Sequence, residues 1–319
     1  MSAICGHWSI NSPERGNDLS IKKMTDRLNH WKADRVTHWH KEALAFGHLM
    51  LHNTPESRIE ELPYFHAEFR LAITTDARLD NRDELLSLLE GIHKDSPDSQ
   101  FILKAYQKWG VDCPKYLLGD FVFAIWDENE QQLFLARDHV GIKALYYYYK
   151  DGLFAFSSEI KGILALSNID QTLDELWIAD FLIRRHVDRC NTMYQHIQRL
   201  DGAHSLILRS SRITTQKYWE FNTRTEIRLS SEAEYIEAFN DKLDIAVKRR
   251  LRTSYNIAAE LSGGLDSSAV VHHLHKQIGN DFHPFSLTPF SKDFDFMSER
   301  SYVTPFSEAK GLNVNFLDG

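Results

Sequence analysis

A chain of 319 residues, 43% hydrophobic and 26% charged, is long enough for two domains that each bury a core, and its composition excludes a disordered or fibrous chain. A formal net charge of -8 argues against a general nucleic-acid surface, because neutralising phosphates takes clustered Lys and Arg. No apolar run approaches the roughly 20 residues of a membrane helix and no cationic apolar signal opens the chain, so the expected location is cytoplasmic, with neither membrane nor nucleic acid as partner.

From Ala43 to Ser158 the pattern is mainly β, with helices expected over Asn81–Leu89, opened by an Asn cap, and over Ser99–Trp109. The runs 121–126, 133–137, 144–149 and 153–156, separated by turn chemistry, predict an antiparallel meander, with Tyr146 to Tyr149 alternating between sheet faces. Thr215 to Ser230 is polar and irregular and is taken as a linker. The expected division is residues 1–214, the linker 215–230, and a second domain over 231–319. Ser231 and Glu234 carry a capping-box signature ahead of Ile236, Phe239, Leu243 and Val247 at helical spacing. The basic run Lys248 to Arg252 closes that helix, where a favourable dipole contact explains it. Strand, helix, strand, helix, strand then follow over 256–261, 267–278, 283–288, 299–310 and 313–317, which implies a parallel sheet flanked by helices.

Cys5, Cys113 and Cys190 form no C-x-x-C pair, and His38–His40 and His272–His275 lack a metalloprotease arrangement. Chemistry concentrates instead in Ser262-Gly-Gly-Leu-Asp-Ser-Ser268, between the strand ending at Leu261 and a helix with Val270, Leu274 and Ile278 on one face. Two glycines let the backbone turn tightly and approach a ligand, and the helix N-terminus offers N–H groups to an anion. Ser262, Ser267 and Ser268 add hydroxyls, and Asp266 would be repelled by phosphate unless a Mg²⁺ lay between them. No Lys follows the glycines, which excludes a Walker A loop. A lone Gly-Gly would be read as a plain turn, but seven positions in a strand–loop–helix context favour a nucleotide site.

This run resembles the PP-loop of ATP pyrophosphatases, and the stretches Gly119–Asp127 (GDFVFAIWD), Leu135–Lys143 (LARDHVGIK) and Phe154–Lys161 (FAFSSEIK) resemble the amino-terminal domain of asparagine synthetases. The resemblance implies an α+β N-terminal-nucleophile (αββα) domain of the class II glutamine amidotransferase type. After it comes an α/β PP-loop domain, adenine nucleotide α hydrolase-like and incomplete. It implies ATP and Mg²⁺, with Leu261 to Ser268 at the phosphates, Leu261 and Leu287 as an apolar adenine slot, and Asp266 on the metal. The implied reaction is attack of a carboxylate on ATP, giving AMP and pyrophosphate, followed by attack of an amine.

The glutaminase positions depart from the family pattern. Aligning Met-Ser-Ala-Ile-Cys-Gly6 with the family's Met-Cys-Gly-Ile-x-Gly puts Ser2 at the nucleophile position and Cys5 in the core. Met50 stands where the family has the Arg that holds the glutamine carboxylate, and Thr74-Thr75-Asp76 replaces Asn-Gly-Glu. Only Asp98, at the position that binds the glutamine amine, remains. A hydroxyl is a weaker nucleophile than a thiol and Met offers no charge, so this domain is read as inactive in glutamine hydrolysis. The stretch from Thr75 to Glu84 looks like the branch of lasso-peptide cyclases and β-lactam synthetases, in which a substrate's own amine attacks the activated carboxylate. The partners so implied are a small-molecule or peptide carboxylate and an amine, with a homodimer or a leader-peptide-handling protein beside them. Two other readings stand: an asparagine synthase acting on aspartate, and a truncated non-catalytic fragment. The second follows from a parallel sheet that ends after three strands, where the family continues with a second Gly-rich acidic segment and a Lys region.

Overall fold

The computed structural model describes residues 2–10, 18–185, 188–288 and 299–318. The chain divides into two units, one of Met1–His52 and Glu56–Asn222, the other of Asn53–Pro55 and Thr223–Gly319.

Two antiparallel six-stranded sheets build the first unit. One contains β1 (Ala3–Ser9), β2 (Arg35–Lys41), β3 (Leu44–Met50), β8 (Tyr146–Lys150), β9 (Leu153–Ser157) and β10 (Ile197–Arg199), in the order β10-β8-β9-β1-β3-β2. The other contains β4 (Tyr64–His66), β5 (Leu71–Leu79), β6 (Gly119–Asp127), β7 (Gln132–Arg137), β11 (His204–Arg209) and β12 (Arg212–Lys217), in the order β12-β11-β7-β6-β5-β4. Ile4, Phe46 and Phe156 of the first sheet meet Ala72, Ala124 and Leu135 of the second. On the outer face of the first sheet, α1 (Asp18–Arg27) and α4 (Ile160–Ile163) bring Ile21, Met24 and Ile163 onto Ala3, Cys5 and Leu49. On the outer face of the second, α2 (Arg82–Leu88) and α3 (Asp98–Trp109) bring Leu85, Phe101 and Ile102 onto Ile73, Phe123 and Phe134. The result is an αββα N-terminal-nucleophile architecture.

Strand β6 shows why its sequence reads as one apolar run. Phe121, Phe123 and Ile125 face the helices while Val122, Ala124 and Trp126 face the other sheet, so both parities are apolar. The tyrosines of β8 do alternate: Tyr148 is buried on the helix side, and Tyr147 and Tyr149 pack between the sheets.

Three local expectations are corrected. The runs 121–156 are not one meander, because β6 and β7 lie in one sheet and β8 and β9 in the other. The crossing is fixed by polar contacts: Asp138 accepts the N–H groups of Ile142 and Lys143 at 2.8 and 2.9 Å, and the Arg137 guanidinium donates to the carbonyls of Gly141, Lys143 and Leu200. Asn81 precedes α2 without capping it. Its side chain donates to the Tyr116 carbonyl and accepts from Leu118 N–H, both at 2.9 Å. The first unit also runs beyond Thr214, since β12 continues through Lys217 and Tyr218 is buried in the core.

The second unit contains α6 (Glu232–Arg249), β13 (Ala258–Glu260), α7 (Leu265–Ile278), β14 (His283–Thr288), α8 (Arg300–Lys310) and β15 (Asn315–Asp318). Its three strands are parallel, in the order β13-β14-β15. Ser231 caps α6, its hydroxyl accepting Glu234 N–H at 3.3 Å, and Glu234 reaches back to Ser230 N–H at 2.9 Å, one residue short of the reciprocal box. Asp244 of α6 holds His273 of α7 at 2.6 Å. Among the described residues, no helix is long and apolar enough to cross a membrane.

Candidate active site

In the first unit, Ser2 ahead of β1, Met50 at the end of β3, Asp76 within β5 and Lys143 between β7 and β8 come together. Ser2 is buried; its hydroxyl accepts Leu51 N–H at 3.0 Å and points at the Met50 sulfur 3.8 Å away. The backbone N–H of Ser2 donates to the carboxylate of Asp76. That carboxylate also meets Lys143, with Nζ 2.8 Å from Oδ2 and both side chains buried. Burial raises the Asp76 pKa while Lys143 opposes it, the first effect being the larger. Thr74 shares a β5 face with Asp76, and its hydroxyl donates to the Gly47 carbonyl at 3.4 Å and meets His48 Nδ1 at 3.3 Å. Thr75 turns the other way and donates to the Val122 carbonyl at 2.9 Å.

Asp98 does not present a free carboxylate. One oxygen pairs with the Arg82 guanidinium and the other accepts Leu79 N–H at 3.1 Å. Arg82 is itself anchored on the Ser96 carbonyl at 2.7 Å and covers the Phe101 ring. Cys5 lies wholly buried on the helix side of its sheet, where burial pushes its thiol well above the ordinary range; it is core and no nucleophile.

In the second unit, β13 leads into the loop 262–264 and α7. Leu261 N–H donates to the Phe285 carbonyl at 2.8 Å, which fixes the strand end. Gly263 has φ +76, and a Cβ there would lie 2.6 Å from Cβ of Tyr302, so both conformation and space demand glycine. The Ser267 hydroxyl draws the loop closed: it accepts Ser262 N–H at 3.2 Å, meets the Ser262 hydroxyl at 3.0 Å and reaches the Gly264 carbonyl at 3.2 Å. No side chain caps α7, so the first-turn amides of Leu265 to Ser267 remain available to an anion. Asp266 is exposed in that turn, and among the described residues it has no hydrogen-bond or ion-pair partner. No cluster of three His, Cys, Asp or Glu side chains is present among the described residues. A cation at Asp266 would therefore take its other ligands from phosphate oxygens and water, the habit of Mg²⁺. The two leucines expected to form a slot differ: Leu261 is 0% exposed, within a core of Val271, Leu274 and Val303, whereas Leu287 is 52% exposed. Of the pair, only Leu287 offers its side chain to a ligand.

Residues 1–219 match the glutamine amidotransferase domain, and residues 238–315 match asparagine synthase. The chain belongs to the asparagine synthetase family. Amidase chry2 of Gibberella zeae is 28% identical over 320 residues, covering 95% of this chain and 44% of its own length. Putative asparagine synthetase (glutamine-hydrolyzing) 2 of Methanocaldococcus jannaschii is 33% identical over 176 residues, 54% of this chain and 34% of its own. The chain spans about half the length, or less, of these relatives. Among solved structures, an allosteric regulatory enzyme of purine biosynthesis aligns over 98% of this chain at 11% identity, with a TM-score of 0.49.

For a member of the asparagine synthetase family, three residues of the first site went unforeseen in the sequence: Lys143, His48 and Arg82. Lys143 ends the stretch Leu135–Lys143, and only its position after a strand, flanked by the apolar Ile142 and Ala144, hints at burial. His48 and Arg82 reach their partners through contacts 26 and 16 residues apart, for which no local spacing is a signal.

Proposed function

We propose that this chain carries the nucleotide-binding part of an ATP-dependent carbon–nitrogen ligase that adenylates a carboxylate and does not use glutamine as its nitrogen source. The observation that carries the reading is the glycine-turned loop ending on an uncapped helix, with an unpaired Asp266 in its first turn. In this reading the amides of Leu265 to Ser267 take the phosphate oxygens that become pyrophosphate, and the Ser262–Ser267 contact holds the loop in the receiving shape. A carboxylate oxygen bonds to the α-phosphorus as the bond to the β-phosphate oxygen breaks. The amine then attacks the acyl carbon, loses a proton, and releases AMP. Negative charge grows on the departing pyrophosphate, where the loop amides are already aimed, so they stabilise the transition state more than the ground state. When bound, Mg²⁺ would supply further neutralisation of the phosphates, and Asp266 is the residue that would hold it.

The first unit supports the glutamine-independent half of the proposal. Asp76 is engaged by Lys143 and Ser2, Asp98 by Arg82, and Met50 lies on the Ser2 hydroxyl, so the two carboxylates at these positions are already paired within the protein. An amine from the substrate itself, as in lasso-peptide cyclases, fits that arrangement. Asparagine synthesis from aspartate, with ammonia or glutamine as nitrogen source, is the second reading, favoured by relatives named asparagine synthetase (glutamine-hydrolyzing).

The test is equilibrium binding of ATP with Mg²⁺ to the folded chain, followed by carboxylate-dependent ATP–pyrophosphate exchange. ATP binding that Gly263→Val abolishes, with AMP as product, supports the proposal. Formation of ADP, or failure of the folded chain to bind ATP, would overturn it.

A further inference from the structure

The first unit holds a cavity of about 330 Å³ that the proposed chemistry does not use. Its lining comes from the start of β8 (Tyr146), the end of β10 (Arg199), the segment 188–193, and α5 (Glu175–Leu182) through Trp177.

Its charge is one-sided. Neither Arg189 nor Arg199 has a carboxylate partner among the described residues. Arg199 uses its Nε on the Arg189 carbonyl at 2.7 Å, which leaves its two terminal nitrogens for a ligand. Among the described residues, the one carboxylate in the lining, Asp188, is turned onto its own loop: it accepts the N–H groups of Cys190 and Asn191 at 2.6 and 3.4 Å and the Asn191 side-chain amide at 2.9 Å. Asp201, close by in sequence, accepts Gly202 N–H at 2.8 Å. The Arg137 pKa is lowered by burial first and by Arg199 next, with Asp138, Asp201 and Tyr146 opposing.

Beside these cations lie apolar groups, Ile160, Trp177 and Met193. Trp177 stacks on Phe181 at 5.4 Å and 8°, Met193 lies in the lining, and α5 buries none of its own residues. A neighbouring cavity of about 70 Å³ shares Trp177, Asp188 and Asn191 and carries Asp174 and Asp180 beside Arg185.

We propose that the larger cavity binds a small monocarboxylate carried on an apolar body, with Arg189 and Arg199 taking the carboxylate and Trp177 and Met193 the apolar part. A guanidinium fork matches the two oxygens of a carboxylate, and the volume sits at the lower end of small-molecule sites, which suits an amino-acid-sized acid. The site stands apart from the adenylation reading, because none of its residues belongs to the 261–268 loop.

The experiment is calorimetric titration of the 319-residue chain with N-acetyl-L-phenylalanine, octanoate, and N-acetyl-L-phenylalanine amide. One-to-one binding of at least one acid is expected, about tenfold tighter than the amide, because the amide forfeits the charge-assisted bonds. Whichever acid binds more tightly identifies the source, aromatic amino-acid derivative or alkyl acid. Arg199→Met should weaken the acid about tenfold. Arg189→Met, at an exposed side chain, should weaken it with no change in the thermal melt. Equal affinity for acid and amide, or no saturable binding of either acid, overturns the proposal.

Discussion

The ammonium of Lys143 lies 2.8 Å from the Asp76 carboxylate in the interior of the first unit, and the same carboxylate accepts the backbone N–H of Ser2. The position the resemblance assigns to a substrate clamp is filled by the protein's own charges. Removing one partner leaves the other buried and uncompensated, which typically costs about 3–5 kcal/mol.

Lys143→Met should therefore lower the unfolding free energy by about that amount, and Asp76→Leu combined with Lys143→Met should recover most of it. Denaturant melts of the three proteins provide the check. For the same reason, no ammonia should be released from glutamine by the native chain or by Ser2→Cys, since a thiol restores neither the carboxylate clamp at Met50 nor free access to Asp76. Ammonia above the buffer blank from either protein contradicts this.

Leu261 and Leu287 should separate stability from binding. Leu261→Ala opens a cavity in a closed core and should cost about 2–5 kcal/mol, whereas Leu287→Ala, at a half-exposed position, should shift stability by no more than about 0.5 kcal/mol. If Leu287 lies against adenine, Leu287→Asp should weaken ATP binding and leave the melt unchanged. Equal affinity of the native chain for ATP and GTP would count against any adenine contact here.

Asp266→Asn keeps the size of the side chain and removes its charge. In the enzyme that performs the exchange, the rate should fall by on the order of 10²–10³, because a contact aimed at developing charge is lost. Unfolding should be unaffected, since Asp266 is exposed and makes no ion pair among the described residues. Unchanged exchange across a Mg²⁺ titration removes Asp266 from the metal site.

Acid should act through two buried histidines. Burial lowers the His7 pKa to about 4 and, with Arg35 adding a smaller effect, the His48 pKa to about 3, both from 6.5. Each Nε2 lacks a partner among the described residues, which suits a neutral ring. A group whose folded pKa is depressed gives stability that is complete above its unfolded value and lost as pH falls. Stability should therefore decline from pH 6.5 downward, and for His7 the loss is complete near pH 4, at roughly 3 kcal/mol. His7→Leu should flatten that limb of the stability curve, and an unaltered slope between pH 6.5 and 4 refutes the assignment.

Much of the second unit could be read locally. The Ser231 cap, the period of α6, and the order of strand and helix from Ala258 to Asp318 each depend on residues a few positions apart. The loop chemistry is local too, because Gly263 and the serines that close the loop lie within six residues. The polar interior of the first unit is of another kind. Nothing near Asp98 indicates that Arg82 will take its carboxylate, and nothing near Asn81 shows that its side chain will bond at Tyr116 and Leu118.

The sequence alone determined the two-unit plan, the family, and the glycine loop, since composition, periodicity and a seven-residue motif are carried by neighbouring residues. Tertiary structure decided which sheet each strand of 121–156 joins, that Leu261 is core while Leu287 is open, and that Lys143 comes to rest on Asp76 across 67 residues. The physical reason lies in β6: when both faces of a strand are covered, each parity is apolar, and only the partner strands reveal which polar side chains will meet.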